Sequence, residues 1–347
     1  MSLFRPVRAL LAAGLTAALA GSVLAAGTSS AAAPASHTMA KDLFTPLSLS
    51  VADDGDVFYS QNFAGQLWVK QVGKAPRKLY SSSNEAEIGG ISTRANITYF
   101  VSGTRILRRK GSDIAVVANI GKYEQERNPD GKVTYGAVGI DEECADQFPN
   151  ESPYPASYKG IVEAHPYATA YGDGALYVAD AAANAIFRVE GSKVSTVAVL
   201  PAVTTTITEA IAEQLSFPEC SIGEKYRFEG VPTDVEFHNG KLYVSTLPGG
   251  PEDGSVKGSV YRMNPTTGNT VRMATGFVSA TGLAVATDGN IYVAELFDNK
   301  VTRLAPSGAK RTFVETALPS AVEIHGSHVY VTESVLGPEG KLVRYRR

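Results

Sequence analysis

Between Gly276 and Val314 the chain reads GFVSATGLAVATDGNIYVAELFDNKVTRLAPSGAKRTFV, and no other stretch constrains the fold as tightly. Leu283-Ala284-Val285 is a short apolar run that ends at Thr287-Asp288-Gly289-Asn290, where the glycine supplies the positive φ of a tight hairpin. Ile291-Tyr292-Val293-Ala294 follows as a β-branched and aromatic strand. Asp298-Asn299 turns the chain into Val301-Thr302-Arg303-Leu304, whose side chains alternate between faces. Pro306-Ser307-Gly308 turns it once more, into Arg311-Thr312-Phe313-Val314. Four antiparallel strands in about 40 residues, apolar at the first and polar at the outer ones, follow the plan of a propeller blade.

The aromatic of the second strand gives the repeat a ruler. Phe58, Tyr99, Tyr177, Tyr243, Tyr292 and Tyr330 each lie in an apolar or β-branched run, at intervals of 41, 78, 66, 49 and 38 residues. Gly55, Gly174, Gly240 and Gly289 stand three residues before their aromatics. Leu67, Ile186 and Val301 stand nine residues after Phe58, Tyr177 and Tyr292. A period of about 40 residues with two large insertions predicts an all-β fold, a six-bladed β-propeller. The chain ends at Leu342-Val343-Arg344-Tyr345, a third strand, and His37-Thr38-Met39-Ala40 supplies the missing fourth. Pairing the N- and C-terminal segments in one blade closes the ring and removes exposed strand edges.

That assigns residues 37–347 to one domain. Residues 1–25 read as a cleavable signal peptide: Arg5 and Arg8 make a basic start, an apolar run follows from Ala9 to Ala20, and small residues lie near Ala25. Cleavage after Ala26 or Ala33 satisfies the same rule, and residues 26–36 read as a flexible leader. Secretion is therefore expected, with no transmembrane segment elsewhere. A net charge of −3 gives no reason to expect nucleic acid as a partner. Cys144 and Cys220 are the only cysteines, and an exported chain with an even number favours a disulfide between them over two free thiols. A monomer is expected.

The insertions span about 119–160 and 201–230, and both should overhang one face of the ring, where the disulfide would tie them into a lid. The first is rich in Pro, Gly, Asn and acidic residues and is expected to be loop. In the second, Ile211 and Leu215 are four apart and predict a short amphipathic helix. A smaller insertion, from Leu247 to Gly258, extends a turn on the same face. Long loops on one rim of a rigid ring commonly carry function.

Two sets of polar residues qualify for chemistry there. Gln61, Asp180, Thr246, Glu295 and Glu333 each lie three residues past a blade aromatic. Their recurrence favours turn-making over chemistry. Glu163, His165, Glu229 and Asp234 flank first strands. Glu163, His165 and Glu229 do not recur in the other blades, so structural and functional roles stand equal for them. Carboxylates with a histidine at a channel mouth can act as acid and base or hold a hard cation. No cofactor is predicted beyond a divalent cation such as calcium, for which Glu163 and Glu229 are the candidate ligands. No phosphate-binding glycine loop, nucleophile elbow or Cys/His metal spacing is present.

Several runs resemble the ScyD/ScyE family of exported bacterial propellers. They are Ser195 to Pro201, Val231-Pro232-Thr233 with Val235, Gly276-Phe277, and Tyr177-Val178-Ala179-Asp180. Tyr123-Glu124 with Asn128-Pro129-Asp130-Gly131 resembles that family's first insertion. Glu163-Ala164-His165-Pro166-Tyr167 resembles its run before a first strand, with His165 where Asn is usual. The likeness covers roughly 45–347 and implies fold and export rather than a reaction. Two functions follow as expectations. One is a binding or scaffold protein that grips a small molecule, glycan or surface protein at its capped face. The other is a metal-dependent hydrolase similar to gluconolactonases, with Glu229-Gly230-Val231-Pro232 resembling their Glu-Gly-Pro. Against the hydrolase, Thr281 and Ser320 stand where those enzymes place amide or carboxylate ligands. A quinone-dependent sugar dehydrogenase is a fainter third, without a basic and aromatic cluster to hold the quinone.

Overall fold

A computed structural model describes residues 33–149 and 152–347. The signal-like run, Asn150 and Glu151 lie outside the described residues, and so does all but the end of the leader. The regular structure is mainly β, in seven four-stranded antiparallel sheets. Six follow the chain in order. Their first strands are Leu49–Val51, Ile91–Arg94, Pro166–Gly172, Gly230–His238, Ala280–Val285 and Val322–His325. We call these sheets one to six. All six ruler aromatics lie in the second strands, and the hairpin glycines Gly55, Gly174, Gly240 and Gly289 all have positive φ. The fourth strand of sheet six is Ser36–Leu43, with His37 opposite Arg344 and Thr38 opposite Val343.

First strands approach one another closely because their residues are small. A Cβ on Gly90 would come within 2.5 Å of the backbone at Ala168 in sheet three, and one on Gly282 within 2.3 Å of the Ser320 carbonyl. Hydroxyls bridge neighbouring first strands: Ser50 with Thr93 and Ser92 with Thr169, each at 3.0 Å, and Thr233 donating to the Ala280 carbonyl at 2.7 Å. Ser320 donates to the Leu47 carbonyl at 3.2 Å, joining sheet six to sheet one.

Apolar side chains fill the wedges outside these bridges. Val57, Tyr59, Tyr330 and Leu342 pack between sheets six and one. Tyr177, Ile186, Val235 and Val244 pack between sheets three and four. Tyr177 also stacks on Phe237 at 5.8 Å. Burying a side chain of this size stabilises by about 1.5–3 kcal/mol.

The seventh sheet corrects the expectation of a loop. The first insertion contains helix α1 (Ile120–Arg127), strand Thr134–Val138, helix α2 (Glu142–Ala145) and strand Ser157–Lys159. Its strands join Val203–Thr206 and Lys225–Phe228 of the second insertion in one sheet. These strands are too short to show a period of their own. Their partners come from the other insertion, and Phe148, Phe217, Tyr226 and Phe228 make a separate apolar core beneath them. Cys144 and Cys220 are bonded and tie the insertions together. Helix α3 (Glu209–Leu215) forms as predicted: Thr208 caps it by accepting the Ile211 amide at 3.2 Å, and Ile211 and Ala212 are buried. Among the described residues no helix is long and apolar enough to cross a membrane.

Candidate functional site

Where sheets three to six present the N-terminal ends of their first strands, a cavity of about 50 Å3 opens beside the turn that carries Leu247 and Glu252. Leu47, Val231, Leu247 and Leu296 make its walls apolar, and His165, Tyr167, Glu252, Thr233, Thr281 and Ser320 supply the polar groups. Thr281 donates to the Ser320 carbonyl at 3.2 Å, so these hydroxyls are engaged in joining first strands.

His165 is held from two sides. Its backbone amide donates to Asp180 Oδ1 at 2.8 Å, and its Nε2 pairs with the Glu87 carboxylate. Burial pushes the imidazole pKa down, but the bond and charge of Glu87, aided by Asp180 and Glu163, outweigh it and raise the pKa overall. Nδ1 is buried without a partner. Glu252, on the turn after Leu247, has its carboxyl pushed up to about 7 by burial, against a Ser279 hydroxyl bond to Oε2. Its Oε1 is likewise buried and unpartnered.

The four nominated residues are not gathered in one place. Glu163 lies two residues from His165 and lines a surface groove with Lys122, Glu124 and Gln125. Glu229 bonds the Tyr158 hydroxyl in the insertion sheet and raises the pKa of that tyrosine further after burial. Asp234 lies in the channel below the cavity, where Glu236 and Glu323 line the same void. Its carboxylate accepts the Leu283 amide at 2.7 Å and the Val235 amide at 2.8 Å. Only Glu163 and His165 act on one another, and no group of three His, Cys, Asp or Glu among the described residues is drawn together as a metal shell. Glu87, Glu252, Glu236 and Glu323 escaped the sequence. One of them carries a signal: Glu236 stands two residues after Asp234 in a largely apolar first strand, and acids at alternate positions there share one side, facing the channel.

Three of the recurrent set accept backbone amides, while Glu333 accepts the Tyr345 hydroxyl and Thr246 donates to the Ser259 carbonyl. Gln61 accepts the Phe44 amide, Asp180 the His165 amide and Glu295 the Val278 amide, at 2.8 to 2.9 Å.

No protein-family model matches the chain, and no curated protein matches it. Solved structures do. A gluconolactonase from Xanthomonas campestris is 13% identical with a TM-score of 0.56, over 90% of this chain and 89% of its own. A quinone-bound aldose sugar dehydrogenase from Streptomyces coelicolor is 14% identical with a TM-score of 0.55, over 91% and 99%. A virginiamycin B lyase from Staphylococcus aureus, in a catalytically inactive histidine-to-alanine form with quinupristin, is 14% identical with a TM-score of 0.52, over 90% and 98%. At such identities the likeness is one of fold, and three different activities on it carry none to this chain. The chain is a β-propeller.

Proposed function

We propose that this protein is an exported, monomeric six-bladed propeller of ScyD/ScyE type, closed by its two ends, that binds an extracellular ligand at its capped face. Hydroxyl bridges between neighbouring first strands, including Ser320 to Leu47, support the closed ring. The cysteine pair supports export to an oxidising compartment. The observation that carries the binding role is the cavity: apolar walls with a few fixed polar groups, two of which, Glu252 and His165, hold buried atoms without partners. Glu252 Oε1 accepts a hydrogen bond, so the ligand offers a hydroxyl or other donor beside an apolar face. Room for a few waters admits an end group rather than a whole ring. The ligand is accordingly the terminus of a glycan or of a comparable hydroxyl-bearing molecule lying across the insertions. Glycan-array binding by the mature protein, abolished by the cavity-filling Leu247→Trp, tests this reading.

One observation favours a second reading. The His165–Glu87 pair has the form of an oriented general base, which suits a hydrolase or lyase better than a scaffold. Turnover of an aldonolactone that disappears in His165→Ala would establish it.

A further inference from the structure

Five side chains meet where α1 and the turn after it pack on sheet three, behind the segment that carries His165. Glu124 lies on α1, and Asn128 and Asp130 on the following turn. Asp180 and Asn184 bracket the turn between the second and third strands of sheet three. Asp130 Oδ2 accepts Asn184 Nδ2 at 2.8 Å and the Tyr135 hydroxyl at 3.3 Å. Asn128 donates to the Gly160 carbonyl at 3.3 Å, and a Cβ on Gly160 would strike Asp130 Oδ1. Glu124 is 1% exposed, and Asp130, Asp180 and Asn184 are wholly buried.

The remaining lone pairs of this cluster have nothing to accept from. Both oxygens of Glu124, Oδ1 of Asn128, Oδ1 of Asp130, Oδ2 of Asp180 and Oδ1 of Asn184 are buried without a partner. Glu124 is buried close enough to Asp180 and Asp130 for their charges to act on it, and both are of its own sign. Leaving buried carboxylates uncompensated is costly. A cation satisfies all of them together, and an all-oxygen set of carboxylates and amide carbonyls selects a hard one.

We propose that Glu124, Asp130 and Asp180, with the amide oxygens of Asn128 and Asn184, bind one calcium-class divalent cation that pins the first insertion to sheet three. The three carboxylates do not by themselves make a metal shell. The amides complete the set, and binding draws it inward against the mutual repulsion of the acids. The role is structural: the clamp fastens α1 beside the strand end from which Asp180 holds the His165 amide.

The test is calcium titration of the full mature protein after chelator treatment, by calorimetry and by thermal melt. One site per chain is expected, with a melting point raised by about 4 °C at a hundredfold excess over Kd and restored by EGTA. Glu124→Gln and Asp130→Asn should lose most of the binding and the shift, yet melt no lower than the wild type in EGTA, because each removes an uncompensated buried charge. The absence of saturable calcium binding in the wild type overturns the proposal. So does unchanged binding in both variants, or a shift with magnesium and none with calcium. None of these results bears on the cavity, which is read out by ligand binding.

Discussion

Asp180 Oδ1 accepts the backbone amide of His165, 15 residues before it, at 2.8 Å. The bond ties the end of a second strand to the segment that leads into the first strand of the same sheet. Glu295 makes the same latch on Val278, and Gln61 on Phe44. Glu295 is 2% exposed and also accepts the Thr302 hydroxyl, so its replacement strands two donors. Glu295→Ala should destabilise by about 2–4 kcal/mol, from two unsatisfied groups at the usual cost. Gln61→Ala, which is less buried, should cost about 1 kcal/mol. Urea unfolding of the two variants checks the order.

The cysteine bond closes a loop across 76 positions and joins the two insertions. Loop-closure entropy puts its contribution at up to about 4 kcal/mol. Cys144→Ser should loosen the insertion sheet before the rest. Limited proteolysis should then cut first within 119–160 or 201–230, and the spectroscopic signature of the six main sheets should persist.

Strand Ser36–Leu43 covers the outer edge of Gly340–Arg346. A chain beginning at Phe44 leaves that edge bare, and bare edges pair with other chains. Size-exclusion chromatography should show higher-order species for the shortened chain and a monomer for the mature one.

The channel carboxylates give stability a pH dependence. Burial raises Asp234 to about 7 and, with the charge of Asp234, Glu323 to about 8; Glu236 is raised well above its ordinary value by burial and by both neighbours. Each holds a proton more firmly folded than unfolded, so folding takes up protons between about pH 4 and those values. Their contribution is complete below about pH 4 and is lost as the pH rises through 7 and 8. Unfolding free energy should fall over that interval in the wild type and fall less in Glu236→Gln/Glu323→Gln.

Much of the fold was legible because a blade is local. Gly289 three residues before Tyr292, and the same spacing at Gly55, Gly174 and Gly240, mark hairpins that need no distant partner to be recognised. The insertion sheet was not legible, since Thr134–Val138 takes Lys225–Phe228 as its neighbour across some 90 residues and neither strand carries a period. The site fared likewise. His165 was visible, but Glu87, which orients it, lies 78 residues away. The spacing of Asp180 marks it as a turn residue, and one of its oxygens is that; the other belongs to the buried cluster with Glu124, which only the folded chain assembles.

The proposed function requires the cavity beside His165 and Glu252 to be a binding site rather than a reaction centre. The most direct measurement incubates the mature protein with an aldonolactone and with an immobilised glycan panel, alongside Leu247→Trp and His165→Ala. The predicted result is glycan binding lost in Leu247→Trp, with no lactone turnover above background. Turnover by the wild type that vanishes in His165→Ala would contradict it, and so would glycan binding that Leu247→Trp leaves intact.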